Sequence, residues 1–257
     1  MDILQIPVLR DNYTFVLHDP QTNQAIVIDP GEAKPVANCI EYIEADLVAI
    51  WHTHHHWDHI GGNQQLLSQF PALAVYGSQV DRERLPGQQH YLSEGDILIF
   101  ANRKAQVLYI PGHTQGHIAY YFPPVASDSA GDLFCGDTLF AGGCGRLLGG
   151  TAEQLWRSLT RLSQLPEQTR IWCAHEYTQN NLAFALTVEP HNEQLQKRYR
   201  EVVNLRRADL ATIPTYLGLE KDTNPFLRCE SPEIQSRMKT EDPLKVFTRL
   251  RKAKDRF

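Results

Sequence analysis

The chain has 257 residues, of which 42% are hydrophobic and 21% charged, with a net charge of −5. That length fits one large domain or a medium domain plus a small one, with the composition of an ordinary globular protein. The charge excludes a global basic field for nucleic acid or an anionic membrane, and no apolar run approaches the ~18 residues of a transmembrane helix.

The N-terminus "MDILQIPVLR" has neither a basic n-region nor a long apolar h-region, so no signal peptide is expected. The runs "ILQIPV", "YTFVLH" and "QAIVID" are β-branched or aromatic and are separated by turn residues, which predicts an antiparallel meander. "EAKPVANCIEYIEA" predicts an amphipathic helix, "DLVAIW" a buried strand, and "DHIGGNQQLLSQF" a stretch of helical spacing with Asp58 near its start. From about residue 178 the texture changes. "TQNNLAFALTVEP", "NEQLQKRYREVVNLRRADL" and "PLKVFTRLRKAKDRF" repeat with helical period, predicting a helical C-terminal region that begins near His175–Tyr177. Five cysteines, Cys39, Cys135, Cys144, Cys173 and Cys229, form no C-x-x-C pair. Such usage argues against a disulfide framework and for a reducing, cytoplasmic compartment.

Four places share one pattern: an apolar strand-like run, a small residue or turn, then His or Asp. They are "DLVAIW" before "HTHHHWDH", "QVLYI" before "PGHT", "DLFC" before "GDT", and "RIWC" before "AHEY". Functional groups collect where strands end, because the loops there converge on one rim. The pattern delivers His54, His56, Asp58, His59, His113, Asp137 and His175. Imidazole and carboxylate without thiolate suit zinc, iron or manganese. Seven such groups exceed the needs of one tetrahedral ion and fit two ions sharing a carboxylate. Ions ~3.5–4 Å apart lower the pKa of intervening water towards ~7 and supply a metal-bridging hydroxide as nucleophile. His55 is read as non-ligating, His117 as structural or as support behind a ligand, and His18, His52, His90 and His191 as ordinary polar residues.

The run "THHHWDH" is the signature of the metallo-β-lactamase superfamily. Together with "PGHTQGH", "CGDTLFAGGCGR", "AHEYT", "NPFLR" and "RKAKD", it makes the whole chain resemble glyoxalase II, the hydroxyacylglutathione hydrolase family. The resemblance implies an αββα sandwich in a catalytic domain at residues 1–175, followed by a small helical substrate-binding domain at 176–257. It implies that His54, His56 and His113 hold one ion, that Asp58, His59 and His175 hold the other, and that Asp137 bridges them. Two divalent ions are expected, zinc before iron or manganese. The implied reaction is hydrolysis of S-D-lactoylglutathione to D-lactate and glutathione, with Asp58 also orienting the nucleophile or taking its proton. Arg146, Tyr177, Arg251 and Lys254 match substrate-binding positions, with Arg146 standing where Lys is usual. Leu148 replaces a family tyrosine, so one hydrogen bond of about 1 kcal/mol to the glutathione peptide would be missing.

The thiolate leaving group, with a conjugate-acid pKa near ~8.5, departs without a strong general acid. The absence of an evident extra acid therefore suits a thioester. The main alternative is an iron-dependent persulfide dioxygenase of the same fold, with one metal. A nuclease of this fold is opposed by the acidic charge, and a non-catalytic binding protein by the intact ligand set. The expected partner is the small-molecule thioester alone, with no nucleic acid, no membrane and a monomeric state.

Overall fold

Apolar runs punctuated by turn residues become strands of two β-layers. The computed structural model describes residues 1–126 and 129–257. These form two units, Met1–Tyr109 with Gly116–Pro123, and Ile110–Gln115 with Pro124–Phe257.

In the first unit, β1 (Asp2–Val8), β2 (Asn12–Asp19) and β3 (Gln24–Ile28) form the expected antiparallel meander. Helix α1 (Ala33–Tyr42) then crosses to β4 (Asp46–Trp51), which lies parallel to β3. Its Val36 and Ile40 pack with Ala25, Val27, Ile50 and Leu66, so β3 and β4 read as near-continuous apolar runs because helix and sheet together exclude water. After α2 (Trp57–Ile60) and α3 (Asn63–Gln69), strands β5 (Ala74–Ser78) and β6 (His90–Leu92) complete a six-stranded sheet in the order β1 to β6. A second antiparallel meander follows, β7 (Ile97–Phe100), β8 (Arg103–Tyr109) and β9 (Ile118–Phe122). Trp51 of β4 lies 5.0 Å from the Tyr120 ring and stacks on Phe122 of β9 at 6.2 Å and 7°, which packs one sheet on the other through large apolar rings.

The helical spacing after Asp58 is not one helix but two. The chain breaks at Gly61–Gly62 because another loop passes too close for side chains. A Cβ on Gly61 would stand 2.6 Å from the Gly31 carbonyl oxygen, and one on Gly62 2.8 Å from that of Pro30. Gly62 N instead donates to the Pro30 carbonyl at 2.8 Å, a main-chain approach that only glycine permits.

In the second unit, β10 (Asp132–Gly136) precedes a small ribbon of β11 (Leu139–Phe140) and β12 (Gly143–Cys144). Helix α4 (Ala152–Leu162) starts at a capping box between Thr151 and Gln154. Strand β13 (Arg170–Cys173) then pairs parallel with β10. The helical region begins with α5 (Thr178–Val188) and α6 (Glu193–Arg207). A two-residue strand, β14 (Thr215–Tyr216), interrupts it by pairing with β13, and the sequence pattern does not announce so short an element. Three further helices follow, α7 (Leu217–Thr223), α8 (Pro232–Met238) and α9 (Pro243–Lys254). No helix among the described residues is long and apolar enough to cross a membrane.

A buried polar knot ties these helices to the ribbon. Arg198 pairs with Glu220 and donates to Thr223 Oγ1 at 2.6 Å and Thr215 Oγ1 at 3.0 Å. The other Glu220 oxygen accepts from Gly142 N at 2.7 Å and Asn224 Nδ2 at 3.0 Å, and Asn224 Nδ2 also reaches the Gly143 carbonyl at 2.9 Å. Removing one charge strands the other in a dry site. Arg198→Met is therefore expected to cost about 3–5 kcal/mol in urea unfolding, with Arg198→Met/Glu220→Gln recovering part of that loss. A double variant as unstable as the single one would show that the stranded carboxylate is not the cause.

Candidate metal centre

Strand register delivers the first group of candidate ligands. Ile28 of β3 lies opposite Trp51 of β4, so both strands leave the sheet at one rim and Asp29 N donates to the Trp51 carbonyl at 3.1 Å. Asp29 takes a left-handed φ of 50°, which aspartate tolerates better than most residues. Its buried carboxylate accepts from Thr53 N at 2.8 Å, Thr53 Oγ1 at 2.6 Å and His59 Nδ1 at 3.1 Å. Burial alone would raise its pKa, but hydrogen bonds from His52 and His59 outweigh that and hold it far below the usual carboxylate range.

These contacts fix tautomers. The Thr53 hydroxyl gives its proton to Asp29, so it accepts from His54 Nδ1, 3.0 Å away. His54 and His59 therefore both keep the proton on Nδ1 and present an Nε2 lone pair. His54 Nε2 stands 3.0 Å from His56 Nδ1, and His59 Nε2 stands 3.7 Å from Asp58 Oδ2. His55 turns instead to Asp81, 2.8 Å away, while His117 stacks on His54 at 4.6 Å. His52 Nε2 meets Asn63 at 2.8 Å.

The second unit repeats the device. Gly136 of β10 and Cys173 of β13 are register partners after a bulge, and Ala174 N donates to the Gly136 carbonyl at 3.2 Å. The parallel pair thus ends at one rim and releases Asp137 and His175 there. His113, after the Pro111–Gly112 turn, points Nδ1 at the Arg146 carbonyl at 2.8 Å, which leaves Nε2 as its lone-pair nitrogen. His113 Nε2 lies 3.5 Å from Asp137 Oδ2, and His175 Nε2 lies 3.3 Å from Asp137 Oδ1. One carboxylate therefore turns a different oxygen to each of two imidazoles.

The four substrate-binding candidates also lie in the second unit. Tyr177 stacks on His175 at 4.7 Å and 7° and is 38% exposed. Arg251 is buried at 3% exposure. Its Nη1 donates to the carbonyls of Cys144 at 2.7 Å and Gly145 at 3.3 Å, and Nη2 pairs with Asp255 at 3.0 Å. It thus straps down the segment just before Arg146. Lys254 is bonded to Asn180 and lies over the Phe257 ring at 4.9 Å. Burial, then the charges of Arg251 and Arg146, lower its pKa to about 8. Those three cations are close enough to feel one another. Leu148 is 61% exposed and donates its N–H to the His113 carbonyl at 3.0 Å.

The donor geometry fits a metal. Two atoms each ~2.1 Å from one tetrahedral ion lie ~3.4 Å apart. The separations of 3.3, 3.5 and 3.7 Å bracket that value. Within each unit the His and Asp groups suit a divalent ion, and the all-N/O donor set is that of zinc, iron or manganese. Sequence reasoning missed Asp29. It closes the strand-like run "QAIVID" just before Pro30–Gly31, and nothing local in the sequence shows that it meets Thr53 and His59.

The model for the metallo-β-lactamase superfamily matches residues 8–175, and the model for the hydroxyacylglutathione hydrolase C-terminus matches residues 176–257. The hydroxyacylglutathione hydrolase of Synechocystis sp. is 57% identical over 257 residues, covering 100% of both chains. Among solved structures, TTHA1623 in a di-iron-bound form matches with TM-score 0.63 and 26% identity, over 88% of this chain and 100% of that one. ETHE1 from Myxococcus xanthus matches with TM-score 0.66 over 99% of this chain and 98% of that one, and at 24% identity the likeness is one of fold. The architecture is thus the mixed α/β sandwich of the metallo-β-lactamases with a helical C-terminal region. Within that superfamily, the chain belongs to the hydroxyacylglutathione hydrolase family.

Because Asp29 sets both the tautomer and the aim of His54 and His59, Asp29→Ala is expected to weaken metal affinity by about 10–100-fold. Competition against a chromophoric chelator measures this, and an unchanged affinity would remove the orienting role.

Proposed function

We propose that the chain hydrolyses S-D-lactoylglutathione to D-lactate and glutathione with two divalent ions, zinc in the first instance, in the cytoplasm. The observation that carries this reading is the Asp137 carboxylate, whose two oxygens lie 3.5 and 3.3 Å from His113 Nε2 and His175 Nε2. A carboxylate set between two imidazoles in this way suits a bridge. In this reading His54, His56 and His113 hold one ion and Asp58, His59 and His175 the other. The full-length relatives named hydroxyacylglutathione hydrolase, 57% and 55% identical, supply the substrate, and the di-iron form of TTHA1623 is a precedent for two ions on this fold. The free cysteines fit a reducing compartment. Residues 1–175 would form the catalytic domain and 176–257 the substrate-binding domain, the division at which the two family models meet.

Ions bound there lower the pKa of water and polarise the thioester carbonyl. The chain's own residues do the rest. Asp58 orients the attacking water and takes its proton. Arg146 and Lys254 offer charge to the glutathione carboxylates, and Arg251 adds its own charge while fixing the loop that carries Arg146. Tyr177, stacked on His175, offers its hydroxyl at the rim. The thiolate needs no strong acid to leave, since its conjugate acid has a pKa near ~8.5. The persulfide dioxygenase alternative gains nothing from the likeness to ETHE1, which extends to the fold.

Asp137→Ala is expected to lose bound metal and thiol release together, by elemental analysis and a thiol-reactive dye. Retention of both would remove the bridging assignment. Lys254 is protonated below about pH 8, so its charge is present there and lost as pH rises. The KM for the anionic thioester should therefore climb above that pH. Lys254→Met should raise KM more than it lowers kcat and flatten the climb. A wild-type KM indifferent to pH between 7 and 9 would contradict this role for Lys254.

A further inference from the structure

Asp58 sits in the first turn of α2, a helix of only four residues. So short an element gives a side chain little rigidity of its own, yet the proposed centre needs this carboxylate aimed. The aim comes from across the unit. Asn12, the first residue of β2, is 5% exposed. Its Nδ2 donates to Asp58 Oδ2 at 3.0 Å and lies 3.4 Å from the Asp58 carbonyl oxygen.

The turn carrying Asn12 is fixed in turn. Leu9 adopts a left-handed φ of 54°, and its N–H donates to Glu32 Oε2 at 2.6 Å. Beside it, a Cβ on Gly31 would collide with the Asp58 carbonyl and stand 3.3 Å from Leu9 Cδ1. The β1–β2 turn, the Gly31–Glu32 segment and Asp58 thus form one packed corner. The oxygen that accepts from Asn12 is also the one that lies 3.7 Å from His59 Nε2.

We propose that Asn12 is a positioning residue for Asp58. Its amide occupies one lone pair of Oδ2 and fixes the rotation of the carboxylate, leaving that oxygen's remaining electron density turned to the His59 partner. Donation to an ionised acceptor is stronger and more directional than a neutral contact, and such outer hydrogen bonds set ligand orientation at metal sites. This inference rests on the reading of Asp58 and His59 as ligands of one ion.

The test is zinc titration against a chromophoric chelator for wild type, Asn12→Ala and Asn12→Asp, with urea midpoints and thioester kinetics on the same samples. Asn12→Ala should keep the tighter ion and bind the weaker one about 10–100-fold less well. Its kcat should fall in step while KM stays within about twofold. Asn12→Asp has nearly the same shape but no donor, and should lose weaker-ion affinity too, which a space-filling role would not produce. Weaker-ion affinity within about twofold of wild type in a folded variant overturns the proposal. If Asn12→Ala does not fold, Asn12→Asp decides alone. A wild type that binds a single ion also overturns it. A wild type that binds two ions but releases no thiol sinks the proposed reaction and leaves the affinity comparison to decide the role of Asn12.

Discussion

Carboxylate oxygens and imidazole nitrogens lie 3.3–3.7 Å from one another in largely dry surroundings, the spacing of atoms that share one cation. The separations are longer than good hydrogen bonds and match atoms that share an ion. Asp137 is the clearest case, since each of its oxygens confronts a different histidine. The rest of the molecule can be understood as the means of keeping such groups together. Parallel strands ending in register do this twice, with β3 beside β4 releasing Asp29 and the histidine loop, and β10 beside β13 releasing Asp137 and His175.

Holding candidate ligands in place is only half of the task, because each imidazole must also offer the nitrogen that could coordinate. Asp29 and Thr53 occupy Nδ1 of His59 and His54, and the Arg146 carbonyl occupies Nδ1 of His113. In all three cases the proton sits on the far side of the ring and Nε2 is left as the lone-pair nitrogen. The contact at Arg146 links the orientation of His113 to the loop that carries a candidate substrate cation, and Arg251 braces the same loop through the Cys144 and Gly145 carbonyls.

Much of this was legible in the sequence. The N-terminal meander, the β4 strand and the long C-terminal helices follow from hydrophobic period and turn chemistry, which are local properties. The ligand segments were visible because a strand followed at once by Gly, Pro or a small residue and then His or Asp is an unusual pattern, and it occurs four times. What stayed hidden depended on other parts of the chain. The split of α2 from α3 at Gly61–Gly62 follows from the passage of the Pro30–Gly31 main chain. The strand β14 exists because β13 offers it an edge. Asn12 reads as a turn residue and Asp29 as the end of a strand-like run, and only tertiary contact gives them Asp58 and His59 as partners. Arg251, which the resemblance marks as a substrate-binding cation, is also buried against main-chain carbonyls, and nothing local in the sequence shows that.

The proposed function turns on two neighbouring ions sharing the Asp137 carboxylate. Anomalous diffraction at the zinc edge, from crystals of zinc-loaded protein, tests it most directly. Two peaks ~3.5–4 Å apart on either side of the Asp137 carboxylate are predicted. A single peak, or two peaks without Asp137 between them, would contradict the account.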